Sequence, residues 1–396
     1  MAKASDRFGC RRPAKLLLWA LLAGLAAPAS AAQAEAEPVQ FGLAYTSDFL
    51  ANLDGGLKRG TALLGKLDAT AEMDLSAALM EGATAFINLQ FVHGRAFSEE
   101  LVGDAQVTSN IEAASALRAL EAWVELPVNG EDLRLKAGLI DLNSEFDVQS
   151  VGALFLNSSH GIGPDFSQTG LNGPSIFPTT SGAVMLSARS GGWTGRVGLF
   201  DAVAGDPNRP GRTRIGYPGA KGLLSVVEVE RSLGDSAAVK GGVWSYSTRF
   251  DALAEFDPSG KPRRLEGNKG AYATLEGRIA GPDERALDGW VRIGVANARI
   301  NPIGTSIGGG LSWGNDERAL GLAFAHARLG GPAKEVGLLN EDALDEAETN
   351  IELTYRMVVR EGVTVQPDVQ YVINPGWRPD LDDALVAGVR FVFELP

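Results

Sequence analysis

Cysteine is nearly absent: Cys10 is the single one in 396 residues, and it sits close to the N-terminus. Histidine is scarce as well, with His93, His160 and His326 on different segments and none at metal-ligand spacing. That excludes a zinc site of the His-Glu-x-x-His kind, and no Gly-x-Ser-x-Gly elbow marks a serine nucleophile. The glycines between 161 and 173 lack the Gly-Lys-Ser/Thr that a phosphate loop needs. No catalytic residue, metal or cofactor is therefore expected. Basic residues number 36 against 49 acidic ones, a balance that disfavours nucleic acid as a partner. Beyond the N-terminal region no apolar run reaches the length of about 18 residues that a transmembrane helix requires.

That N-terminal region carries Lys3, Arg7, Arg11, Arg12 and Lys15, then an apolar run over 16–27, then Ala29-Ser30-Ala31 and Ala32-Gln33-Ala34. Charge, apolar core and small residues in this order predict a secretory signal peptide over 1–34, too short in its apolar part to span a bilayer. Cleavage reads equally well after Ala31 or Ala34. Removal of its five basic residues and Asp6 leaves 31 basic and 48 acidic residues, a net charge of −17. Cys10 is lost with it, so the exported chain makes no disulfide. The remainder, 35–396, has no linker or compositional break and reads as one domain.

Hydrophobic residues still make up 45% of the chain, and they are arranged by alternation. In 348–376, Ile351, Leu353, Tyr355, Met357 and Val359 fall on one side, against Glu352, Thr354 and Arg356 on the other. After the turn Arg360-Glu361-Gly362, Val363, Val365, Val369, Tyr371 and Ile373 oppose Thr364, Gln366, Asp368 and Gln370. Successive strand side chains point to opposite faces, so this is a hairpin of two amphipathic strands. Pro367 removes a ladder donor in the second arm, and a bulge or locally broken pairing is expected there.

Sixteen such segments can be read, starting near Val39, Thr61, Thr84, Leu117, Leu133, Gly182, Thr194, Gly222, Ala237, Ala271, Gly289, Ser306, Ala319, Asn350, Thr364 and Ala384. Their connections alternate in length. The short ones are 127–132, 191–192, 233–236, 315–318 and 360–363, with 75–82 and 281–288 somewhat longer; the long ones include 94–116, 143–181, 204–221, 250–270 and 329–349. An even strand count with short turns at one end and long loops at the other predicts a transmembrane antiparallel β-barrel of about sixteen strands, all-β and wide enough for an aqueous channel. Trp193, Trp290 and Trp313 adjoin the short turns, where an interfacial aromatic girdle is expected. A large soluble sheet with scattered packing tryptophans is the competing reading.

On a water-filled wall the polar side of each alternation faces the lumen. It carries Lys66, Arg134, Lys136, Arg189, Arg292, Arg356 and Arg390 among the bases, Asp68, Glu121, Glu125, Glu352 and Asp368 among the acids, and Trp123, Trp244 and Tyr272 as aromatic surface. Acid and base hydrogen-bond hydroxyl groups, and an aromatic face packs on the C–H surface of a sugar. The plainer reading is that these charges solvate the wall and pair across strands. The longest connection, 143–181, contains Phe155, Asn157, His160, Asp165 and Phe166. A loop this long and this apolar is expected to fold inward as the third outer loop and narrow the pore, the alternative being a surface loop over the mouth. The acidic residues Glu341, Asp342, Asp345, Glu346 and Glu348 read as a solvated charge run, or as a divalent-cation site beside lipopolysaccharide.

Several runs resemble the carbohydrate-selective porin family typified by OprB. They are Tyr45-Thr46-Ser47-Asp48, Asn52-Leu53-Asp54-Gly55-Gly56 and Gly65-Lys66-Leu67-Asp68; Leu135-Lys136-Ala137-Gly138, Phe146-Asp147 and Phe155-Leu156-Asn157-Ser158 through Phe177-Pro178; and Glu352-Leu353-Thr354-Tyr355 with Gln366-Pro367-Asp368-Val369-Gln370-Tyr371-Val372-Ile373-Asn374-Pro375-Gly376. The resemblance implies a sixteen-stranded barrel in the outer membrane of a Gram-negative bacterium. It also implies passive diffusion of mono- and disaccharides past a constriction lined by Arg and Glu. Its expected partners are small sugars, the surrounding lipid and lipopolysaccharide, and the barrel-assembly machinery; association as a homotrimer stays open. Phe393 stands where such barrels end on an aromatic residue, followed here by a short tail. A general, weakly cation-selective porin and a surface adhesin barrel are the alternatives. N-terminal sequencing of the exported protein is expected to start at Ala32 or Glu35; an intact Met1 terminus in the membrane fraction would overturn the leader assignment.

Overall fold

The computed structural model describes residues 38–395 apart from 131, 215–218, 220 and 341–342. The expected leader lies outside the described residues. The barrel strands are β1 (Val39–Asp54), β2 (Gly60–Asp74), β3 (Thr84–Gly94), β4 (Ala116–Pro127), β5 (Leu133–Ile140), β6 (Ser181–Ser190), β7 (Trp193–Asp201), β8 (Leu223–Ser232) and β9 (Ala237–Tyr246). They continue, after a hairpin of β10 (Phe250–Phe256) and β11 (Pro262–Leu265), with β12 (Lys269–Ala280), β13 (Ala286–Ala296), β14 (Ile303–Gly314), β15 (Arg318–Leu329), β16 (Ala347–Arg360), β17 (Val363–Ile373) and β18 (Ala384–Leu395). Each barrel strand pairs antiparallel with its neighbours, and β1 closes on β18 from Leu43↔Leu395 to Asp54↔Leu385. This is a closed barrel of sixteen strands, with starts within a few residues of those read from alternation.

Closure removes the free edge that a lipid-embedded sheet cannot leave unpaired. Side-chain exposure follows the two-residue period. On β15, Leu320, Leu322 and Phe324 face outward, while Ala319, Ala323, Ala325 and Ala327 are buried inside. On β16, Ile351 and Leu353 are exposed, and Glu352 and Thr354 are buried. A lipid-facing apolar band over a polar interior is the inverse of a soluble sandwich.

Four expectations are corrected or refined. Trp193 and Trp313 stand 53% and 56% exposed at the short-turn end, and Trp193 lies under the Arg231 guanidinium at 5.1 Å. Trp290 is only 5% exposed, because it shares the inward parity of Arg292, and its Nε1 donates to Gln149 at 2.8 Å. It is part of the interior packing and not of a girdle. The connection 250–270 is no plain loop, since β10 and β11 pair within it. A helix, α1 (Gly331–Leu339), likewise forms within the connection before β16. At Pro367 pairing to β18 is continuous. Toward β16 it lapses between Thr354↔Asp368 and Met357↔Val365 with no change of register, so the missing donor interrupts the ladder without a bulge.

The segment 141–180 runs through the lumen and packs on the wall. What lets it approach is the inner face of β14 and β15, built from Ser306, Gly308, Gly310, Ala319, Gly321, Ala323 and Ala325. A Cβ on Gly321 would stand 2.7 Å from Phe155 and 2.8 Å from Leu154. Gly321→Leu is expected to push the segment off the wall at a packing cost of about 1–3 kcal/mol. Planar-bilayer recordings should show an altered conductance with noisier open channels, whereas Gly308→Ala, whose nearest contact is 3.4 Å away, should match the parent.

Candidate functional site

The interior is organised by the backbone of the inward segment. It has little regular structure, so its amide groups need partners from elsewhere. Wall carboxylates supply them. Glu352 accepts from the Leu156 and Asn157 amides at 2.5 and 3.0 Å, Glu276 from Ser150 at 2.8 Å, and Glu228 from Asp147 at 2.9 Å. Gln366 donates to the Leu154 carbonyl at 2.6 Å, and Lys240 donates to that of Val148. Arg292, buried, holds both Asp147 (2.7 Å) and Asp165 (2.6 Å). Phe166 stacks on Trp244 with centroids 4.9 Å apart and lies 6.2 Å from Tyr272; Phe155 packs on Trp290 at 5.3 Å.

This arrangement separates the residues expected from sequence into two sets. Arg292, Glu352 and Asp368 on the wall, and Phe155, Asn157, His160, Asp165 and Phe166 on the segment, are buried against one another and do not reach open space. His160 lies 3.5 Å from Glu352 and packs against both Phe155 and Trp290. Trp244 and Tyr272 are covered by Phe166, so neither presents a face to a solute. The reason is that strand parity points a side chain inward without saying whether water or protein meets it there.

Near the short turns after β4, Arg134 pairs with Glu125 at 2.6 Å, and Lys136 bridges Glu125 (3.4 Å) and Glu145. Lys136 sits 4.0 Å above Trp123, whose other neighbour is Phe86 at 5.3 Å, and Trp123 Nε1 donates to Glu121 at 3.2 Å. Arg189 is exposed at the end of β6. Lys66 pairs with Asp68 at 3.0 Å, and Arg390 holds Asp48 through two contacts of 2.7 Å and Asn110 at 2.8 Å. Arg356 donates to the Asp316 carbonyl at 3.2 Å.

Open space lies on both sides of the segment. One cavity of about 800 Å³ follows β1, β2, β17 and β18, with lining from Glu112 and Gln168 in the long loops to Val392 and Glu394 beside the short turns. Lys66, Arg356 and Arg390 line it. Half-buried Ile176, Phe177 and Pro178 line it as well. A second cavity of about 880 Å³ opens among the short turns, with Arg196, Glu230, Asp235, Lys240, Arg278 and Asp288 in its lining; Leu154 and Arg356 border both. The contributions of Asn110, Ile111 and Glu112 could not be read from sequence, because nothing local brings 95–115 against residues 155–168 of the inward segment. Glu348, expected in a solvated charge run, is buried instead and accepts from the amides of Ala105, Gln106 and Gly376 at 2.8, 2.9 and 2.6 Å. Glu341 and Asp342 of that run lie outside the described residues, and Glu346 pairs with Lys334 at 3.1 Å.

Comparison with known proteins agrees with this geometry. Residues 58–395 match the family described as carbohydrate-selective porin, OprB family. Porin B of Pseudomonas aeruginosa is 24% identical over 401 residues, covering 88% of this chain and 86% of that protein. The high-pH structure of Pseudomonas putida OprB superposes with a TM-score of 0.81 at 17% identity, covering 90% of this chain and 94% of that one. A mutant of Rh. blastica porin superposes at 0.54 and 12% identity, covering 90% and 100%. With a family match over most of its length and a closed sixteen-stranded barrel, this chain belongs to the carbohydrate-selective porins of the OprB family.

Proposed function

We propose that mono- and disaccharides diffuse passively along the cavity between β1, β2, β17 and β18 and the inward segment. The observation that carries this reading is its mixed lining. Half-buried Ile176, Phe177 and Pro178 offer apolar surface in the same cavity as Thr46, Lys66, Asn110 and Arg390. A pyranose has the matching chemistry, with C–H faces and hydroxyl edges that both donate and accept. Lys66 and Arg390 are each held by a carboxylate, so a neutral solute meets fixed donors and no strong net field there. Solute crosses down its gradient, and no reacting group is required.

In this reading the short turns face the periplasm, the long loops face outward, and the apolar band lies in the outer membrane beside lipopolysaccharide. Phe393, paired with Tyr45 in the closing strand, serves as the C-terminal aromatic residue for barrel assembly. A general, weakly cation-selective pore is the second reading, favoured by the acidic residues around the second cavity and by the mature charge of −17. A surface adhesin barrel predicts no solute flux at all.

Liposomes containing the protein are expected to swell in glucose and maltose faster than in amino acids of similar size. Equal rates for all would favour the general pore, and no swelling would remove the channel reading. The buried clamp gives a further expectation. Arg292→Met leaves Asp147 and Asp165 without their buried partner, a loss on the order of 3–5 kcal/mol where both charges persist. Limited proteolysis should then cut within 141–180, which is protected in the parent, while the barrel keeps its mobility on unheated gels.

A further inference from the structure

The charges along the proposed sugar path are unequally compensated. Lys66 is engaged by Asp68, and Arg390 by Asp48. Two half-buried carboxylates from the long loops line the same cavity with no basic side chain in ion-pair contact among the described residues. Glu112 accepts from the Ser98 amide, at 3.0 and 3.1 Å, and meets the Ser98 hydroxyl, with Asp104 and Glu99 as its charged neighbours. Asp141 accepts from the Asn143 amide at 2.8 Å and faces Glu121 and the already paired Lys66.

Resting on that reading of the path, we propose that Glu112 and Asp141 supply the uncompensated negative charge at its long-loop end. They thereby exclude anionic sugars, the sugar acids and sugar phosphates, while neutral sugars pass, and the exclusion fades in mildly acidic medium. Geometry gives the sign. Arg356, Asp316 and Glu394 line the cavity at its short-turn end, which leaves Glu112 and Asp141 as the charge that a solute senses where the long loops meet the path. Burial, followed by Asp104 and Glu99, pushes Glu112 up to about 7, against the Ser98 amide that favours its charged form. Burial and Glu121 push Asp141 up to about 7, with the Asn143 and Phe177 amides and Lys66 opposing. A carboxyl raised this far is charged above neutrality and largely neutral below about pH 6.

The full-length protein in planar bilayers under a potassium chloride gradient tests the assignment. The cation-to-anion permeability ratio is expected to fall roughly threefold between about pH 8 and about pH 5.5, the scale of unit charges within several Å of a permeant ion in water. Glu112→Gln with Asp141→Asn keeps both amide acceptors, and its ratio should be low and flat across that range. A double variant that retains the parent ratio and pH dependence would overturn the proposal. Liposome swelling in glucuronate should accelerate on acidification in the parent only, with the parent's mobility on unheated gels, retained by the double variant, as the check on folding. Glucose failing to enter the parent at either pH would defeat the sugar path itself, while the ion ratio still scores the charge assignment.

Discussion

Everything inside this barrel depends on how a long segment with little secondary structure can be held in a wet lumen. Its amide and carbonyl groups must be satisfied, and water alone would leave it free to move. The wall answers with charged side chains aimed at the backbone: Glu352, Glu276 and Glu228 on amides, Lys240 on a carbonyl, and Arg292 across Asp147 and Asp165. Charge-assisted bonds of this kind are stronger than neutral ones. Removal of one partner leaves a buried charge behind, so the clamp tolerates little loss.

The clamp also explains the composition of the wall. Where the segment lies closest, β14 and β15 present glycine, alanine and serine inward, and the aromatic residues that fill the gap come from the segment and from β9, β12 and β13. Farther round the wall, past β16, the strands β17, β18, β1 and β2 keep long polar side chains and border open space. The asymmetry of the pore is thus a consequence of which strands carry small inward residues. In the proposed charge selection the long loops take over, where Glu112 and Asp141 line the cavity with no basic side chain in ion-pair contact among the described residues.

Much of the barrel was legible in the sequence. Alternation gave sixteen strands with starts close to those observed, and loop lengths gave the two ends, because both are local properties that a two-residue period and turn chemistry report directly. The β10–β11 hairpin escaped notice because it stands outside the barrel and lacks its long amphipathic pattern. Proximity to a turn places Trp290 in the girdle, whereas the parity it shares with Arg292 points it inward, and it is buried there. Pro367 was read correctly as a break in the ladder, but only pairing could tell which side is interrupted.

The sequence by itself determined that this chain is built of about sixteen strands, each apolar on one face and polar on the other, since the face of a strand residue follows from the two-residue period; closure into a barrel came from pairing. Tertiary structure decided which interior residues meet solvent. Glu352 and Arg390 share inward parity, yet one is sealed beneath Leu156 and Asn157 and the other lines the open path. The path of 141–180 rests on contacts between residues far apart in the chain, and no local periodicity encodes them.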